Sequence, residues 1–226
     1  MSTTATTTEP LIPKVAPVPF APVVGKTPDR PPVISEQGFT PYRITVDRYQ
    51  QMVAAAVFDP KDPVFLWRGR LVGKMTKGDR HNFTLGELNT ILCRMVPEGW
   101  HVRPEQPVRF DDDSVPEPDL AVIRGARRDF LGHSPIPRDV ALIIEVSDSS
   151  LAVDSGELCR AYAAAAIPTY WLWNLVDRRL QIYSDPTGPD SNPDYRNRRD
   201  LGPEEEVAII LDGREVGRIT VRDALP

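Results

Sequence analysis

The sequence feature that most constrains this chain is a short apolar segment with one acid inside it, ALIIEVSD at residues 141–148. A short apolar run bounded by polar residues is typical of a strand that is buried in the centre of a sheet. Glu145 interrupts this run, and a buried carboxylate loses its hydration unless it is paired or binds a cation. The segment therefore predicts a central strand whose acid has a partner.

A second acid, Asp119, opens another short apolar strand, PDLAVIRG at residues 118–125. Two neighbouring strands that carry one acid each can direct both carboxylates at one divalent ion. Hard oxygen ligands of this kind suit Mg²⁺ or Mn²⁺, and such an ion can activate water and stabilise charge on a phosphodiester. The alternative is structural: Glu145 pairs with an arginine and Asp119 caps a turn.

Hydrophobic periodicity around these strands predicts an α+β (mixed α/β) fold in one domain. The predicted helices cover residues 46–57, 80–97 and 151–166, and a capping-box spacing places the start of the second near Thr84. Residues 188–203 have the composition of a polar loop, and two final strands complete the sheet. The predicted strands and hairpins cover residues 63–75, 100–110, 118–125, 141–148, 169–185, 206–211 and 217–221.

The prolines divide the chain before these elements begin. Nine of the 24 prolines lie between Pro10 and Pro41, in a stretch without helical or strand periodicity. We therefore predict a Pro-rich flexible arm at residues 1–42 and a folded domain at residues 43–226. The alternative is an arm docked along a sheet edge or a partner.

Charge and composition exclude several classes of protein. No apolar run reaches the roughly 18 residues that span a bilayer, and the start of the chain has no secretory pattern, so we expect a cytoplasmic protein without a membrane partner. The formal net charge of −5 gives no overall attraction to nucleic acid. DNA binding would need a local basic patch, and the alternative for the candidate arginines is a solvated face. These candidates are Arg178, Arg179, Arg196, Arg198 and Arg199.

Other conspicuous residues favour structural roles. The two cysteines, Cys93 and Cys159, are too few for a disulfide scaffold or a four-cysteine zinc site, and both are expected to be buried thiols in helices. His101 and His133 have no metal-ligand spacing, and the acidic run at residues 111–113 is a solvated turn. Trp171 and Trp173 are expected in the core or at a dimer surface rather than stacked on bases.

The order and spacing of several motifs resemble a known group of proteins. An aspartate before an apolar strand, a glutamate about 25 residues later and a following Asp154-to-Tyr162 helix resemble the PD-(D/E)xK nuclease superfamily. More closely, residues 46–226 resemble the bacterial family of putative restriction endonuclease domains. The matching segments are GRLVGKM with His81, EPDLAVIRG, LIIEVSDSSLAVD, AYAAAAIPTYWLWNLVDRRLQIYSDPTGP and GRITVRDALP.

This resemblance implies a restriction-endonuclease-like central sheet flanked by helices, and a Mg²⁺-dependent (or Mn²⁺-dependent) enzyme that hydrolyses DNA. Asp119 and Glu145 would match the two acids that ligate the metal and carry catalysis. His81, Asp154 and Tyr162 match positions that line or flank the site. Nucleases of this fold often pair, so a homodimer is expected, with exposed aromatic strands as the surface to be covered.

Three positions depart from the family pattern. The superfamily lysine commonly lies two residues after the glutamate, where this chain has Ser147, and this family instead carries it at the position of Leu158. Phe65 and Arg68 stand where acids are frequent in the early hairpin. Loss of one such electrostatic group costs about 10²–10³ in rate.

The missing lysine leaves two hypotheses open. Lys74, in the early hairpin, and Arg160, on the helix, are the nearest candidate substitutes, although Arg160 should point elsewhere and Lys74 can equally be ion-paired or solvated. In the first hypothesis the protein is an impaired endonuclease, and Leu158→Lys raises its activity if the rest of the site is intact. In the second it is a catalytically inactive DNA- or partner-binding member of the same fold. Apart from the question of the lysine, a third hypothesis is a small-molecule or protein interaction domain with no nucleic-acid role.

Overall fold

The computed structural model describes residues 41–59 and 62–226, so the predicted arm lies outside the described residues except at its last positions. The helices are α1 (Val46–Ala54), α2 (Asp79–Met95), α3 (Leu151–Val153), a π-helical segment (Asp154–Leu158) and α4 (Cys159–Ala164). The strands are β1 (Val64–Trp67), β2 (Arg70–Gly73), β3 (Trp100–Pro104), β4 (Leu120–Arg124), β5 (Val140–Ser147), β6 (Thr169–Asn174), β7 (Arg179–Pro186), β8 (Tyr195–Leu201), β9 (Glu206–Leu211) and β10 (Arg214–Thr220).

A six-stranded mixed sheet with the order β3-β4-β5-β6-β7-β8 forms the centre of the domain. Only β5 and β6 run parallel, and the crossover between them contains α3, the π-helical segment and α4. The other neighbours are antiparallel. The central position predicted for residues 141–148 is confirmed, and the α+β class with it.

The two faces of this sheet are covered by different elements. One face packs against α2 and the β9–β10 hairpin, with Trp171 and Trp173 fully enclosed. The other face packs against α4 through an aromatic cluster that includes Tyr162 and Tyr170. Alternate residues of β6 therefore serve opposite cores, as the period of two in a strand requires. The core assignment of the two tryptophans is confirmed.

The structure corrects four predictions. The polar segment at residues 188–203 contains strand β8, whose residues 196–200 are exposed along the sheet edge. The final strands do not complete the central sheet, because β9 and β10 form a separate antiparallel pair. Helix α2 begins at Asp79, and Thr84 is buried in its interior rather than at its start. Cys93 is exposed on α2, whereas Cys159 is buried as predicted.

The predicted helix at residues 151–166 contains a π-helical segment that its sequence pattern does not predict. The backbone N–H of Cys159 bonds to the carbonyl of Asp154, five residues earlier, which is the π-helical pattern. Single π turns inside helices are frequent at functional sites. Here the π turn begins at Asp154, whose side chain contacts Ser147 at the carboxyl end of β5.

Within the described part of the chain, no helix is long and apolar enough to cross a membrane.

Candidate active site

Asp119 and Glu145 are adjacent at one end of the central sheet. The antiparallel register of β4 and β5 pairs Leu120 with Ile144, which brings the residue before Leu120 next to Glu145. The backbone N–H of Asp119 donates to Oε2 of Glu145 at 3.1 Å. Both side chains are buried. The two acids that were identified in the sequence therefore do lie together, in a strand pair that gives them little freedom to move apart.

Asp119 is held through both of its carboxylate oxygens. Oδ2 accepts the backbone N–H of Val146 at 2.8 Å and lies 3.0 Å from Nε2 of His81, while Oδ1 lies 2.5 Å from Nζ of Lys77. Burial alone would raise the pKa of Asp119, but the hydrogen bond from His81 and the charge of Lys77 outweigh it and hold the pKa below its usual value. Asp119 is therefore kept as a carboxylate.

Glu145 is in the opposite electrostatic situation. Tyr162, on α4, donates its hydroxyl to Oε1 of Glu145. Burial, followed by the charges of Asp119 and Asp154, raises the pKa of Glu145 well above its usual value, despite that hydrogen bond. A site without a cation therefore favours the protonated form of Glu145, and a bound cation would favour its carboxylate.

Asp154 is the third buried acid near this end of the sheet. Its Oδ2 accepts the hydroxyls of Ser147, at the end of β5, and of Ser150, which precedes α3. Burial raises the pKa of Asp154, partly offset by these two hydrogen bonds. Ser150 is the N-cap residue of α3, but its hydroxyl donates to Asp154 instead of capping the helix. Asp154 thus fixes the turn after β5.

The structure brings a lysine to this site that the sequence analysis missed. Lys77 lies in the loop between β2 and α2, and Nζ contacts both Asp119 and, at 2.7 Å, Oε1 of Glu105. The backbone N–H of Glu105 donates to the carbonyl of Asp119, which places this acid at the rim of the site. The sequence carries no local signal for this contact, because Lys77 lies before the first residue of α2 and Asp119 is 42 residues away.

The proposed substitutes for the family lysine do not reach Asp119 or Glu145. Lys74 pairs with Glu117, which agrees with its ion-paired alternative. Arg160 is exposed on α4. Leu158 ends the π-helical segment and packs, partly buried, against the aromatic cluster of the α4 face.

The early hairpin contacts the π-helical segment through one acid. Nε1 of Trp67 donates to Oε1 of Glu157 at 2.8 Å, and Nη1 of Arg68 lies 3.3 Å from the same oxygen. Arg68, which stands where an acid is frequent, therefore binds an acid here. Phe65 is partly buried and lies edge-on to Trp67.

The candidate basic patch is largely neutralised. Four of its arginines lie within 4 Å of acids, and Arg178 donates to the carbonyl of Pro226. This agrees with the solvated-face alternative. The remaining histidines are remote from the acids: His101 bonds to the carbonyl of Gly125, and His133 is exposed beside Phe130. Asp111 and Asp112 are exposed, as expected for the predicted turn.

A magnesium ion fits the chemistry of the two acids. Among the residues that the structure describes, no group of three His, Cys, Asp or Glu side chains could by itself hold a metal ion. Mg²⁺, however, typically binds through one or two carboxylates, keeps several waters and takes its other ligands from substrate phosphate. Asp119 and Glu145 offer that pair, and the donors that contact Glu145 are the uncharged hydroxyl of Tyr162 and the backbone N–H of Asp119.

Comparisons with known proteins agree with the resemblance seen in the sequence. A crystal structure from Anabaena variabilis ATCC 29413, described as a putative nuclease belonging to DUF820, has a TM-score of 0.54 and 14% sequence identity to this chain. The match covers 80% of this chain and 97% of that one, and it shows a shared nuclease-like fold. No protein with a curated description matches significantly. The family model of Uma2, the putative restriction endonucleases, matches residues 46–218, and this chain belongs to that family.

Proposed function

We propose that this protein is a divalent-metal-dependent endonuclease that hydrolyses DNA phosphodiester bonds, with Asp119 and Glu145 as the catalytic acids and metal ligands. The observation that carries this proposal is the hydrogen bond from the backbone of Asp119 to the Glu145 carboxylate, which joins two residues with buried acid side chains at one end of the central sheet. The family suggests a nucleic-acid substrate, and metal dependence is usual for nucleases of this type.

The residues around Asp119 and Glu145 would position these two acids for hydrolysis. A bound Mg²⁺ would supply Lewis-acid stabilisation of the phosphate and a more acidic water. His81 and the backbone of Val146 hold Asp119 in place, and Tyr162 fixes the orientation of Glu145. Such preorganisation matters because a small misplacement of a catalytic group lowers the rate strongly.

The proposal is tested by nicking of supercoiled plasmid with Mg²⁺ or Mn²⁺. The wild-type protein is compared with an Asp119→Asn, Glu145→Gln double variant, which keeps the side-chain shapes, and with a chelator control. We expect metal-dependent nicking by the wild type and a loss of at least about 10²-fold in the variant. Nicking that persists equally in the variant would come from a contaminant or another site and would contradict the assignment.

Metal binding is measured independently of activity by thermal unfolding with and without Mn²⁺. Ligand at 100 times its dissociation constant stabilises a folded protein by about 2.7 kcal/mol. We expect such a shift in the wild type and none in the double variant. Equal shifts in both proteins would show that these acids are not the metal ligands.

The second candidate function is DNA or partner binding without catalysis, and Leu158 at the family lysine position is the observation that favours it. An electrophoretic shift of DNA by wild-type protein, with no nicking under any metal condition, would support this function. The predicted homodimer is a separate question, since the aromatic strand offered as its surface is buried within the chain. Sedimentation of the purified protein would measure its oligomeric state.

A further inference from the structure

The side chain of Lys77 connects the buried acids with solvent. It is 29% exposed, while the Asp119 side chain that it contacts is only 7% exposed. Its ammonium bonds to Oδ1 of Asp119 on one side and to the exposed Glu105 on the other. Lys77 therefore lies at the mouth of the site, where a substrate phosphate would have to approach Asp119.

The loop that carries Lys77 is anchored on both sides of it. On the N-terminal side, the backbone N–H of Lys74 bonds to the carbonyl of Pro63, a contact that does not involve the Lys74 side chain. On the C-terminal side, His81 in the first turn of α2 holds the other oxygen of Asp119. Lys77 and His81, four residues apart, thus bind one carboxylate oxygen each. The position of Lys77 beside Asp119 is therefore fixed by contacts of its loop and of α2.

Charge also distinguishes Lys77 from the other side chains near the acids. Within residues 41–59 and 62–226, the basic side chains that contact Asp119, Glu145 or Asp154 are Lys77 and His81. His81 is buried, so Lys77 is the cation with access to solvent. The ammonium of Lys77 contacts one buried acid, Asp119, and one exposed acid, Glu105.

We propose that Lys77 is a catalytic residue of this site, which takes from the loop before α2 the electrostatic role that the resemblance assigns to position 158. This inference rests on the proposed nuclease function. In hydrolysis, a water oxygen bonds to phosphorus, the bond from phosphorus to the leaving sugar oxygen breaks, one water proton passes to that oxygen, and the other water hydrogen stays on the new phosphate. The Lys77 ammonium keeps its proton throughout and stabilises the negative charge that builds on the non-bridging oxygens.

The local structure also explains why position 158 tolerates an apolar residue. Leu158 packs, partly buried, against the aromatic cluster that contains Tyr162, and an apolar side chain is stable in such contacts. Since Lys77 already supplies a positive charge to Asp119, Leu158→Lys is expected to give little gain in nicking. A large gain would show instead that the site lacks its cation.

The test compares Lys77→Met and Lys77→Arg with Lys74→Met as the matched control. Lys74 lies three residues away in the same loop, but its partner is Glu117 and not a buried acid of the site. We expect Lys77→Met to lower kcat for plasmid nicking by about 10²–10³-fold with a smaller change in KM. Lys77→Arg should restore part of the rate, and Lys74→Met should cleave close to the wild-type rate. Circular dichroism checks each fold, and Lys77→Gln replaces Lys77→Met if that variant does not fold.

Failure of this inference is distinguishable from failure of the nuclease proposal. If Lys77→Met nicks at the wild-type rate while the Asp119→Asn, Glu145→Gln variant does not, Lys77 has no catalytic role and the nuclease function stands. If Lys77→Met binds Mn²⁺ more tightly in calorimetry and nicks faster, Lys77 is a counterion displaced by the metal, and the inference is wrong. If the wild type never nicks DNA, both proposals fall.

Discussion

Among individual residues, the neighbouring acids Asp119 and Glu145 have pKa values shifted in opposite directions, because their partners differ. Asp119 has two basic partners and a lowered pKa, whereas Glu145 has only uncharged donors and a raised pKa. Divergent pKa values in one buried group of acids are typical of active sites, although structural ion pairs produce them as well. Among the described residues, the donors to Glu145 are uncharged, so its raised pKa does not come from a structural ion pair.

The hydroxyl of Tyr162 is expected to stabilise the fold through Glu145. Tyr162→Phe leaves Oε1 of a fully buried carboxyl without its donor, and an unsatisfied buried polar group costs about 1–3 kcal/mol. Tyr195→Phe is the matched control, because its hydroxyl donates to the backbone carbonyl of Ile167. Urea unfolding should show the larger loss of stability for Tyr162→Phe. A loss no larger than that of the control would contradict the importance of this contact.

The two cysteines are expected to differ in reactivity. Burial raises the pKa of the Cys159 thiol to about 12, so this thiol is protonated at neutral pH and screened from reagents. Cys93 is exposed. N-ethylmaleimide should therefore label only Cys93 in the native protein and both thiols in denaturant, as read by mass spectrometry. Rapid native labelling of a Cys93→Ser variant would show that Cys159 is accessible.

At the element scale, packing between α2 and the β9–β10 hairpin decides what each position tolerates. Gly217 lies at an irregularity in β10, and a Cβ atom there would come within 2.6 Å of Sδ of Met95 on α2. Gly86 lies in the interior of α2 with open space around it. The same substitution should therefore have opposite effects at these two glycines.

We expect Gly86→Ala to stabilise the protein by about 0.5–1 kcal/mol, since alanine loses less backbone entropy in a helix. Gly217→Ala should destabilise it by about 1 kcal/mol or more, because Met95 must shift in a packed layer. The free energies of unfolding in urea provide the measurement. Equal signs for the two variants would mean that Met95 repacks freely or that α2 frays near Gly86.

At the scale of the whole molecule, the predicted division of the chain can be tested by truncation. The family match begins at residue 46, and α1 begins at Val46. We expect a variant that starts at residue 42 to unfold with the same free energy as the full chain, within about 0.5 kcal/mol, the usual range for changes away from packed features. A clearly lower stability of the truncated variant would support the alternative of a docked arm.

The amino-acid sequence alone predicts the two acids and most of the elements around them. The apolar run at residues 141–148 predicts a buried central strand, and Glu145 inside it must have a partner, because desolvation of a carboxylate is a local and unavoidable cost. Hydrophobic periodicity predicts helix α1, and turn residues predict the early hairpin and the turn between β6 and β7. These features depend on neighbours in the chain.

The surroundings of Asp119 and Glu145, in contrast, depend on how distant segments pack in the folded protein. The sequence of strand β8 resembles that of a loop because it lacks strand periodicity. As an edge strand, β8 pairs on one side only and exposes its charged side chains to solvent. Likewise, β9 and β10 pair only with each other and pack in the same core as α2, which lies far from them in the sequence. Lys77 reaches Asp119 across 42 residues of sequence, through a loop anchored at both sides. No local pattern encodes such a contact, because it exists only when the folded chain brings these segments together.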